Sequence, residues 1–300
     1  MHQSAYVLLV LTTLFWGGNA VAGRLALGHV SPFSLNLLRW GIMFLLLLPF
    51  GLKHVRRDWP VIRKNLWLML FLGATGFTGF AAIMYKALEY TSAVNVSIEQ
   101  AAIPMLIIVL NFVLFRLKAT WLQILGFAIS LVGVALTATH GELERLAQLD
   151  LNFGDALMLL AMCCYATYTA MLRLRPQIHW LSTATVFSFA GSLAAIPFLY
   201  WEYATGNAFM PDLQGWVIAL YAAVFPSVLS QVFFIRGTEL IGSNRAGLFV
   251  NLIPVFGTLL SVAILGEALH TYHVMALVFV VIGITIAEWS GRRAAGAKLP

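Results

Sequence analysis

The sequence predicts an all-α integral membrane protein with ten transmembrane helices, arranged as two five-helix inverted-topology repeats around a central cavity. Three observations carry this prediction. The composition is strongly apolar, the apolar residues fall into ten runs of spanning length, and the second half of the chain repeats features of the first at a shift of 150 residues.

The composition is that of a membrane protein. Of the 300 residues, 61% are hydrophobic and only 10% are charged, whereas soluble domains average roughly 25% charged residues. A spanning helix needs about 20 mostly apolar residues. The ten runs of this kind are 4–27, 33–52, 65–87, 93–115, 120–139, 153–174, 181–201, 214–236, 245–266 and 271–290. The connections between them are too short for a soluble domain with its own core, so any function must be performed within the bundle.

Positive charge is distributed unequally between the two sides of the predicted membrane. When alternate connections are assigned to one side, that side holds fourteen Lys and Arg residues and the other holds only Arg145. The fourteen are Lys53, Arg56, Arg57, Arg63, Lys64, Arg116, Lys118, Arg173, Arg175, Arg236, Arg245, Arg292, Arg293 and Lys298. Because such residues are enriched in cytoplasmic loops, we expect both termini in the cytoplasm. The net charge of +6 thus indicates orientation and not a nucleic-acid partner.

The two halves of the chain share landmarks in one register without gaps. The pair Lys86 and Glu89 aligns with Arg236 and Glu239, and Pro104 aligns with Pro254. Further matches are Gly41 with Gly191, Gly133 with Gly283 and Phe15 with Tyr165. Residues 1–150 then form a first repeat, helices 1–5, and residues 151–300 a second, helices 6–10. Because five is an odd number, the second repeat must enter the membrane in the opposite direction, as in many secondary transporters with a substrate site near the midplane.

The first helix contains an unusually polar stretch, LFWGGNAVAGRLALG at 14–28. A cleaved signal peptide is disfavoured because Met1 to Ser4 carries no Lys or Arg and the apolar run continues past the small residues. A phosphate loop is disfavoured because the G-x-x-x-x-G-K-[ST] spacing is missing. The stretch is therefore predicted to be part of a spanning helix that either packs through small residues or presents polar groups to a ligand.

Several segments resemble a known family. The matching stretches are LFWGGNAVAGRLAL, LRWGIMFLLLLPF, KALEYTSAVNVSIEQAAIPMLIIVLNFVLF, ILGFAISLVGVALTA and NLIPVFGTLLSVAILGEAL. In these the chain resembles the drug/metabolite transporter superfamily, in its ten-helix EamA-type exporter branch, and is most similar there to YddG-type amino acid exporters. The resemblance implies an inner-membrane efflux carrier for amino acids, aromatic ones included. One departure is visible, since the acidic residue after the ninth helix is present as Glu267 but the aligned place after the fourth helix holds Leu117.

Polar residues at membrane depth are the candidate functional groups, because ionisable side chains there tend to face the interior, pair, or line water. The predicted substrate-binding residues are Trp16, Asn19, Glu99, Tyr165, Tyr168, Gln231 and Asn251. Glu99 has three open interpretations: contact with a ligand amine, a proton-linked site, or a structural ion pair with Arg39 or Lys86. For the amides, interhelical hydrogen bonding is an equal alternative to ligand contact.

A second set of residues is predicted to gate the path or to form structural ion pairs. It comprises Arg39, Lys86, Glu89, Arg236 and Glu239. Pro104 and Pro254 are predicted to kink the fourth and ninth helices at equivalent places, since proline removes a backbone hydrogen bond.

Together these features predict a transporter that exports amino acids, including aromatic and other apolar ones, by alternating access. The alternatives are a multidrug or other small-metabolite exporter of the same fold, and, from other classes, a membrane-embedded lipid enzyme or a scaffold. No catalytic constellation, metal site or cofactor is predicted, so the protein is not expected to be an enzyme. The predicted partners are a small-molecule substrate and the lipid bilayer, without nucleic acid, and a monomer is compatible with the sequence.

Overall fold

The computed structural model describes residues 2–117, 120–139, 152–241 and 249–296, together with Gly141 and Ala246. These residues contain helices and no strand, which confirms the all-α prediction. When short π and 3₁₀ turns are joined to the helices that they continue, the described helical segments are α1 (His2–Leu25), α2 (Pro32–Lys64), α3 (Leu66–Ala87), α4 (Ala93–Phe115), α5 (Trp121–Ala138), α6 (Phe153–Leu174), α7 (Trp180–Ala204), α8 (Leu213–Ile241), α9 (Val250–Leu265) and α10 (Thr271–Gly296).

Seven of the described helices are long and apolar enough to cross a membrane, and α5, α9 and α10 contain shorter apolar stretches. The ten-span count therefore stays a prediction. The loop charges Lys118, Arg145, Arg245 and Lys298, which the orientation argument uses, lie outside the described residues.

Helix α2 differs from its predicted bounds. Its 33 residues span about 50 Å at 1.5 Å per residue, well beyond the roughly 30 Å of a hydrocarbon core. The prediction of a connection at 53–64 is wrong, because this basic stretch continues the helix to Lys64. The exposed side chains of its last three turns carry the charge that the sequence pattern assigned to a loop.

Irregular turns recur at a spacing of 150 residues. A π-helical turn occupies Ala74–Gly79 in α3 and another occupies Val224–Leu229 in α8. The 3₁₀ turns Gln100–Ala102 and Val250–Leu252 each precede a proline that stands at the start of the resumed α-helix. The predicted irregularities at Pro104 and Pro254 are thus 3₁₀ breaks located just before the prolines.

Side-chain contacts assign the helix termini to two ends of the bundle. At one end, Glu267 after α9 meets the start of α4, and Asn152 before α6 binds Tyr90 after α3. We call this the outer end, following the predicted orientation. At the opposite, inner end, Tyr6 of α1 packs on Phe249 before α9. Helix α1 therefore begins at the inner end and α6, its counterpart at spacing 150, begins at the outer end, which supports the predicted inversion.

The helix pairs also pack in a repeat-related way. Gly133 of α5 lies against Ala276 and Val280 of α10, and Gly283 of α10 lies against Gly126 and Ser130 of α5. At each glycine a Cβ atom would come within 3.0 Å of the opposing helix. The matched glycines Gly133 and Gly283 thus allow the close approach of α5 and α10.

Candidate functional site

A buried arginine lies at the centre of the candidate site. Arg39, in the third turn of α2, is only 6% exposed. Its Nε donates to Ser227 Oγ at 2.9 Å, and its Nη1 donates to Asn19 Oδ1 at 3.0 Å and to the Tyr85 hydroxyl at 2.9 Å. The hydroxyl of Tyr85 in turn donates to Asn19 Oδ1 at 2.9 Å. The guanidinium therefore connects four helices, α1, α2, α3 and α8. It lies about two turns of α2 from the outer end.

The two π-helical turns determine which side chains meet this part of α2. In α8 the wide turn presents Ser227 to Arg39, and the Ser227 hydroxyl itself donates to the carbonyl of Ala222 at 2.9 Å. In α3 the equivalent turn places Phe77 on the ring of Trp40, with centroids 4.3 Å apart. π-Bulges shift the face of a helix by one residue and are frequent at functional sites. Here they bring different groups from the two halves to adjacent residues of α2.

The charge of Arg39 has no anionic partner among the described residues. Each atom that it contacts by hydrogen bonding is neutral, and its Nη2 makes no hydrogen bond while retaining accessible surface. The guanidinium also lies over the Trp40 ring, 4.4 Å from the centroid. The interpretation of Arg39 as one half of an ion pair is therefore wrong for this structure. A buried cation with one donor group unused is suited to receive an anionic group from a ligand.

Further aromatic side chains lie in the vicinity of the guanidinium. Tyr165 of α6 and Tyr221 of α8 lie close enough to Arg39 to interact with it electrostatically. The ring of Tyr165 also packs on Tyr168, with centroids 5.6 Å apart. Tyr168 continues into a buried cluster with Phe77 and Phe187. The structure thus brings Tyr165 to the site and uses Tyr168 as packing behind it.

The remaining predicted substrate residues divide into two groups. Asn19 Oδ1 accepts a hydrogen bond from Arg39. The indole N–H of Trp16 donates to the carbonyl of Pro226 at 3.0 Å, in the π turn of α8. Gln231 of α8 and Asn251 in the first turn of α9 are half-buried, and neither side chain makes a hydrogen bond in the described part of the protein. These two amides lie on the inner side of the Arg39 site and are available to a ligand.

Glu99 lies apart from Arg39. It is 1% exposed, its Oε2 is fully enclosed without a hydrogen-bond partner, and its closest electrostatic partner among the described residues is Asp155 of α6. The alternative of a structural ion pair with Arg39 or Lys86 does not hold in the structure, because Arg39 binds neutral groups and Lys86 binds Glu89.

The two predicted gate pairs form, but their surroundings differ. Lys86 and Glu89 pair at the outer end with side chains 22% and 28% exposed. Arg236 and Glu239 pair at 2.8 Å at the inner end of α8 with side chains 59% and 56% exposed. The same local contact is therefore enclosed at the outer end and open at the inner end.

A carboxylate that the sequence assigned to no site closes the outer end. The side chain of Glu267 accepts hydrogen bonds from the backbone N–H groups of Ala93 at 3.0 Å and Val94 at 2.9 Å. Its Oε1 lies 3.9 Å from Arg24 Nε, and Arg24 donates to the carbonyls of Leu88 and Thr91. Glu267 thereby fastens the end of α9 to the start of α4 and to α1. We call this set of contacts the outer latch, and a polar pocket of about 380 Å³ lies beside it.

Asp212, in the outer connection before α8, makes a second fastening at the same end. Its Oδ2 lies 2.7 Å from His29 Nδ1, and its Oδ1 accepts from the backbone N–H of Gly215 at 2.8 Å. The hydrogen bond from His29 lowers the pKa of the Asp212 carboxyl below its ordinary value. This contact ties the connection after α1 to the first turn of α8.

Sequence reasoning missed Tyr85, Ser227 and the capping role of Glu267. Tyr85 and Ser227 are single polar residues in apolar runs, and no local pattern marks them. A signal did exist for Glu267, which stands at the end of the ninth apolar run without a counterpart after the fourth.

Comparison with known proteins identifies the class. A model of the EamA-like transporter family matches the chain twice, over residues 3–139 and 152–288. The chain belongs to this family. The two matches fall on either side of residue 150 and support the predicted division of this EamA-like transporter into two repeats.

Individual relatives agree with the family. The EamA-like transporter is 27% identical over 293 residues to the uncharacterized transporter YyaM of Bacillus subtilis (strain 168), covering 96% of this chain and 94% of YyaM. It is also 27% identical over 289 residues to an uncharacterized transporter of Archaeoglobus fulgidus, covering 95% of this chain and 97% of that protein. A solved crystal structure superposes with a TM-score of 0.63 at 20% identity, covering 97% of this chain and 99% of the other, and supports the fold alone. The protein is thus a multi-pass membrane transporter.

Proposed function

We propose that this transporter exports amino acids, aromatic and other apolar ones included, from the cytoplasm by alternating access. The observation that carries the proposal is Arg39, a buried guanidinium without an anionic partner among the described residues and with an unused Nη2. A carboxylate is the group that such a donor binds most strongly, because the interaction is charge-assisted and the site excludes water.

The surroundings of Arg39 fit the rest of an amino acid. Trp40 packs against the guanidinium, and Tyr165 and Tyr221 lie within range of electrostatic interaction with it and offer further aromatic surface. Aromatic contacts stabilise apolar side chains through burial and ring geometry without requiring one shape. A carboxylate anchor combined with such walls favours a range of apolar and aromatic amino acids over a single substrate.

The asymmetry of the two ends supports alternating access. At the outer end the latch and the enclosed Lys86–Glu89 pair hold the helices together, while the equivalent Arg236–Glu239 pair at the inner end is open. We infer that the structure corresponds to a state closed to the outside, in which Gln231 and Asn251 line the approach from the cytoplasm. Export then requires the outer latch to open and the inner end to close, by rocking of two inverted halves.

The test is counterflow in proteoliposomes that contain the purified protein and unlabelled L-phenylalanine, with labelled L-phenylalanine outside. Unlabelled amino acids should compete, whereas phenylalaninamide and phenethylamine, which lack the carboxylate, should compete at least tenfold more weakly. The absence of counterflow for every amino acid tried would remove the proposed substrate class. Equal competition by the amide and the amine would remove Arg39 as the anchor.

A second candidate is a multidrug or other small-metabolite exporter of the same fold. A cationic drug fits poorly beside a buried guanidinium, because like charges repel strongly in a low-dielectric site. The same observation therefore favours anionic or zwitterionic metabolites within this alternative, and competition by non-amino carboxylic acids in the counterflow assay would distinguish them.

A further inference from the structure

Glu99 is a buried ionisable group whose carboxyl has no hydrogen-bond partner among the described residues. It is 1% exposed, makes no hydrogen bond with a described residue, and has an Oε2 atom that is fully enclosed. Burying an ionised carboxylate costs several kcal/mol even after relaxation, so buried acids are paired, bound to a cation, or neutral. Each buried polar group without a partner calls for an explanation.

No described neighbour of Glu99 supplies a cation. The charged groups that the sequence offered as partners are occupied elsewhere, Arg39 by neutral groups and Lys86 by Glu89. On α6, Asp155 is near enough to Glu99 to act on it electrostatically and is itself only 5% exposed. A second carboxyl nearby makes a negative charge on Glu99 still less favourable.

The described groups of α10 that lie beside this part of α4 are also uncharged. One turn before Glu99, Asn95 Oδ1 lies 3.0 Å from His273 Nε2, and His273 Nδ1 accepts from the backbone N–H of His270 at 3.1 Å. Because an amide oxygen only accepts, Nε2 carries the imidazole proton and Nδ1 does not, so His273 is neutral in this arrangement. Tyr272, beside it, interacts with Asp155. On α1, α5 and α9, which pack against the same part of α4, no described titratable side chain interacts with Glu99.

Glu99 also stands at a break in α4. The first α-helical stretch ends at Glu99, a 3₁₀ turn covers Gln100–Ala102, and the α-helix resumes at Ile103 with Pro104 in its first turn. A proline and a change of helix type are common causes of helix bending. The outer part of α4, which the outer latch holds at Ala93 and Val94, can therefore move relative to the inner part, and Glu99 lies at the junction.

We propose that Glu99 is the proton-binding site that couples transport to the proton gradient. When α4 bends and the site opens to the outside, the ionised carboxylate accepts a proton from water there and an O–H bond forms. The neutral carboxyl is then enclosed, as it is in this structure, and when a cytoplasmic substrate enters the open inner end the O–H bond breaks and the proton passes to water on that side. This inference rests on the proposed export function and specifies its energy source, since inward movement of a proton would accompany outward movement of substrate.

The variant Glu99→Gln tests the proposal, because glutamine keeps the size and the hydrogen-bonding character of a protonated carboxyl. In proteoliposomes, wild-type efflux of labelled L-phenylalanine should rise severalfold when the receiving side is made acidic. Glu99→Gln should lose this stimulation and keep counterflow at equal pH within about twofold. Glu202→Gln is the matched control, because Glu202 is a buried carboxyl of α7, outside α4, and accepts a hydrogen bond from Ser31 Oγ at 2.6 Å. Its gradient response should be unchanged.

Two results would overturn the proposal. If Glu99→Gln keeps the full gradient response, another group carries the proton. If it loses counterflow at equal pH as completely as gradient-driven efflux while remaining monodisperse, Glu99 contacts the substrate, for example its ammonium group, and does not serve the coupling role.

An infrared measurement tests Glu99 without any transport and separates the two proposals. The carbonyl stretch of a protonated carboxylic acid should be present in the wild-type protein at neutral pH and be reduced in Glu99→Gln but not in Glu202→Gln. An unchanged band in Glu99→Gln means that Glu99 is not protonated and the coupling proposal fails, even if amino acids are transported. Absence of amino acid counterflow together with loss of the band means that the proton site stands and the substrate class is wrong.

Discussion

Replacement of Arg39 by methionine distinguishes a binding role from a structural one. Arg39 donates three hydrogen bonds to neutral partners. Before dehydration is counted, each such bond is worth ~4–6 kcal/mol in an apolar medium, or roughly 12–18 kcal/mol for the three. Dehydration of the guanidinium opposes this by on the order of 20 kcal/mol. The two contributions nearly cancel, so the net effect of Arg39 on the free energy of unfolding is small.

The partners that Arg39→Met leaves behind keep other hydrogen bonds. Asn19 Oδ1 still accepts from the Tyr85 hydroxyl, and the Ser227 hydroxyl still donates to the carbonyl of Ala222. We therefore expect the free energy of unfolding to change by no more than ~1 kcal/mol, or about 2–4 °C in Tm. If Arg39 were mainly structural, its replacement would lower the free energy of unfolding by ~3 kcal/mol or more, as removal of one partner of a buried ion pair does. The Tm would then fall by roughly 6–12 °C.

Substrate binding should be affected by Arg39→Met far more than stability is. Loss of one charge-assisted interaction with a carboxylate, ~1.5–3 kcal/mol, weakens binding by roughly 10- to 150-fold. The sharpest assay compares labelled L-phenylalanine with phenylalaninamide in wild-type and Arg39→Met protein. The wild type should prefer the acid, and the preference should disappear in the variant because the carboxylate and Arg39 are coupled.

Arg173→Met provides the matched control for this experiment. Arg173 lies 4.6 Å above the Phe115 ring at the inner end, in a cation–π contact like that of Arg39 and Trp40 but exposed. Its replacement should leave the preference for the acid intact. The reasoning is refuted if Arg39→Met retains the preference, or if it lowers the Tm by the larger amount and binds neither ligand.

Three further substitutions test the fold and the outer latch. Arg116, the one described non-glycine residue with a positive φ, at 56°, should be relieved of strain by Arg116→Gly, which should raise stability by up to ~1 kcal/mol in thermal unfolding; no gain would contradict this. In Gly76→Ala the new Cβ would lie 2.3 Å from the Tyr168 ring, so we expect a loss of ~1–3 kcal/mol that Tyr168→Leu partly restores, and an unaffected Tm would refute the packing. Glu267→Gln should weaken the cap on α4 by ~1.5–3 kcal/mol, which should speed maleimide labelling of a cysteine at Ala93 at least tenfold; unchanged labelling would exclude Glu267 as the latch.

The helical fold could be predicted from the sequence because hydropathy adds up over segments of about 20 residues. Apolar runs of spanning length identify helices even when single residues are ambiguous. The stretch 53–64 failed this test for a physical reason. High hydropathy marks the part of a helix that lies in the membrane, and it does not detect a helix that continues into water. Helix α2 keeps its backbone hydrogen bonding after it leaves the apolar layer.

The site followed only in part, because it depends on irregular turns. Arg39 was recognisable as a cation at membrane depth, but its partner was expected to be an acid. Ser227 reaches Arg39 through a π turn, which moves side chains off the regular helical face and has no composition of its own. The internal repeat extends to these irregular turns, since the π turns at Ala74–Gly79 and Val224–Leu229 occupy matching places in the two halves.

Among the described residues the outer latch has no equivalent at the inner end, and this difference favours one resting state of the transport cycle. At spacing 150, Gly266 corresponds to Arg116 and Glu267 to Leu117, so both helices end in a left-handed residue but only α9 continues into a carboxylate. Closing the outer end therefore gains charge-assisted bonds to Ala93 and Val94, whereas closing the inner end gains none from Leu117. A difference of even ~1.4 kcal/mol shifts the ratio of two states tenfold. Without substrate, the protein should accordingly wait with its inner end open, where a cytoplasmic solute can reach Arg39.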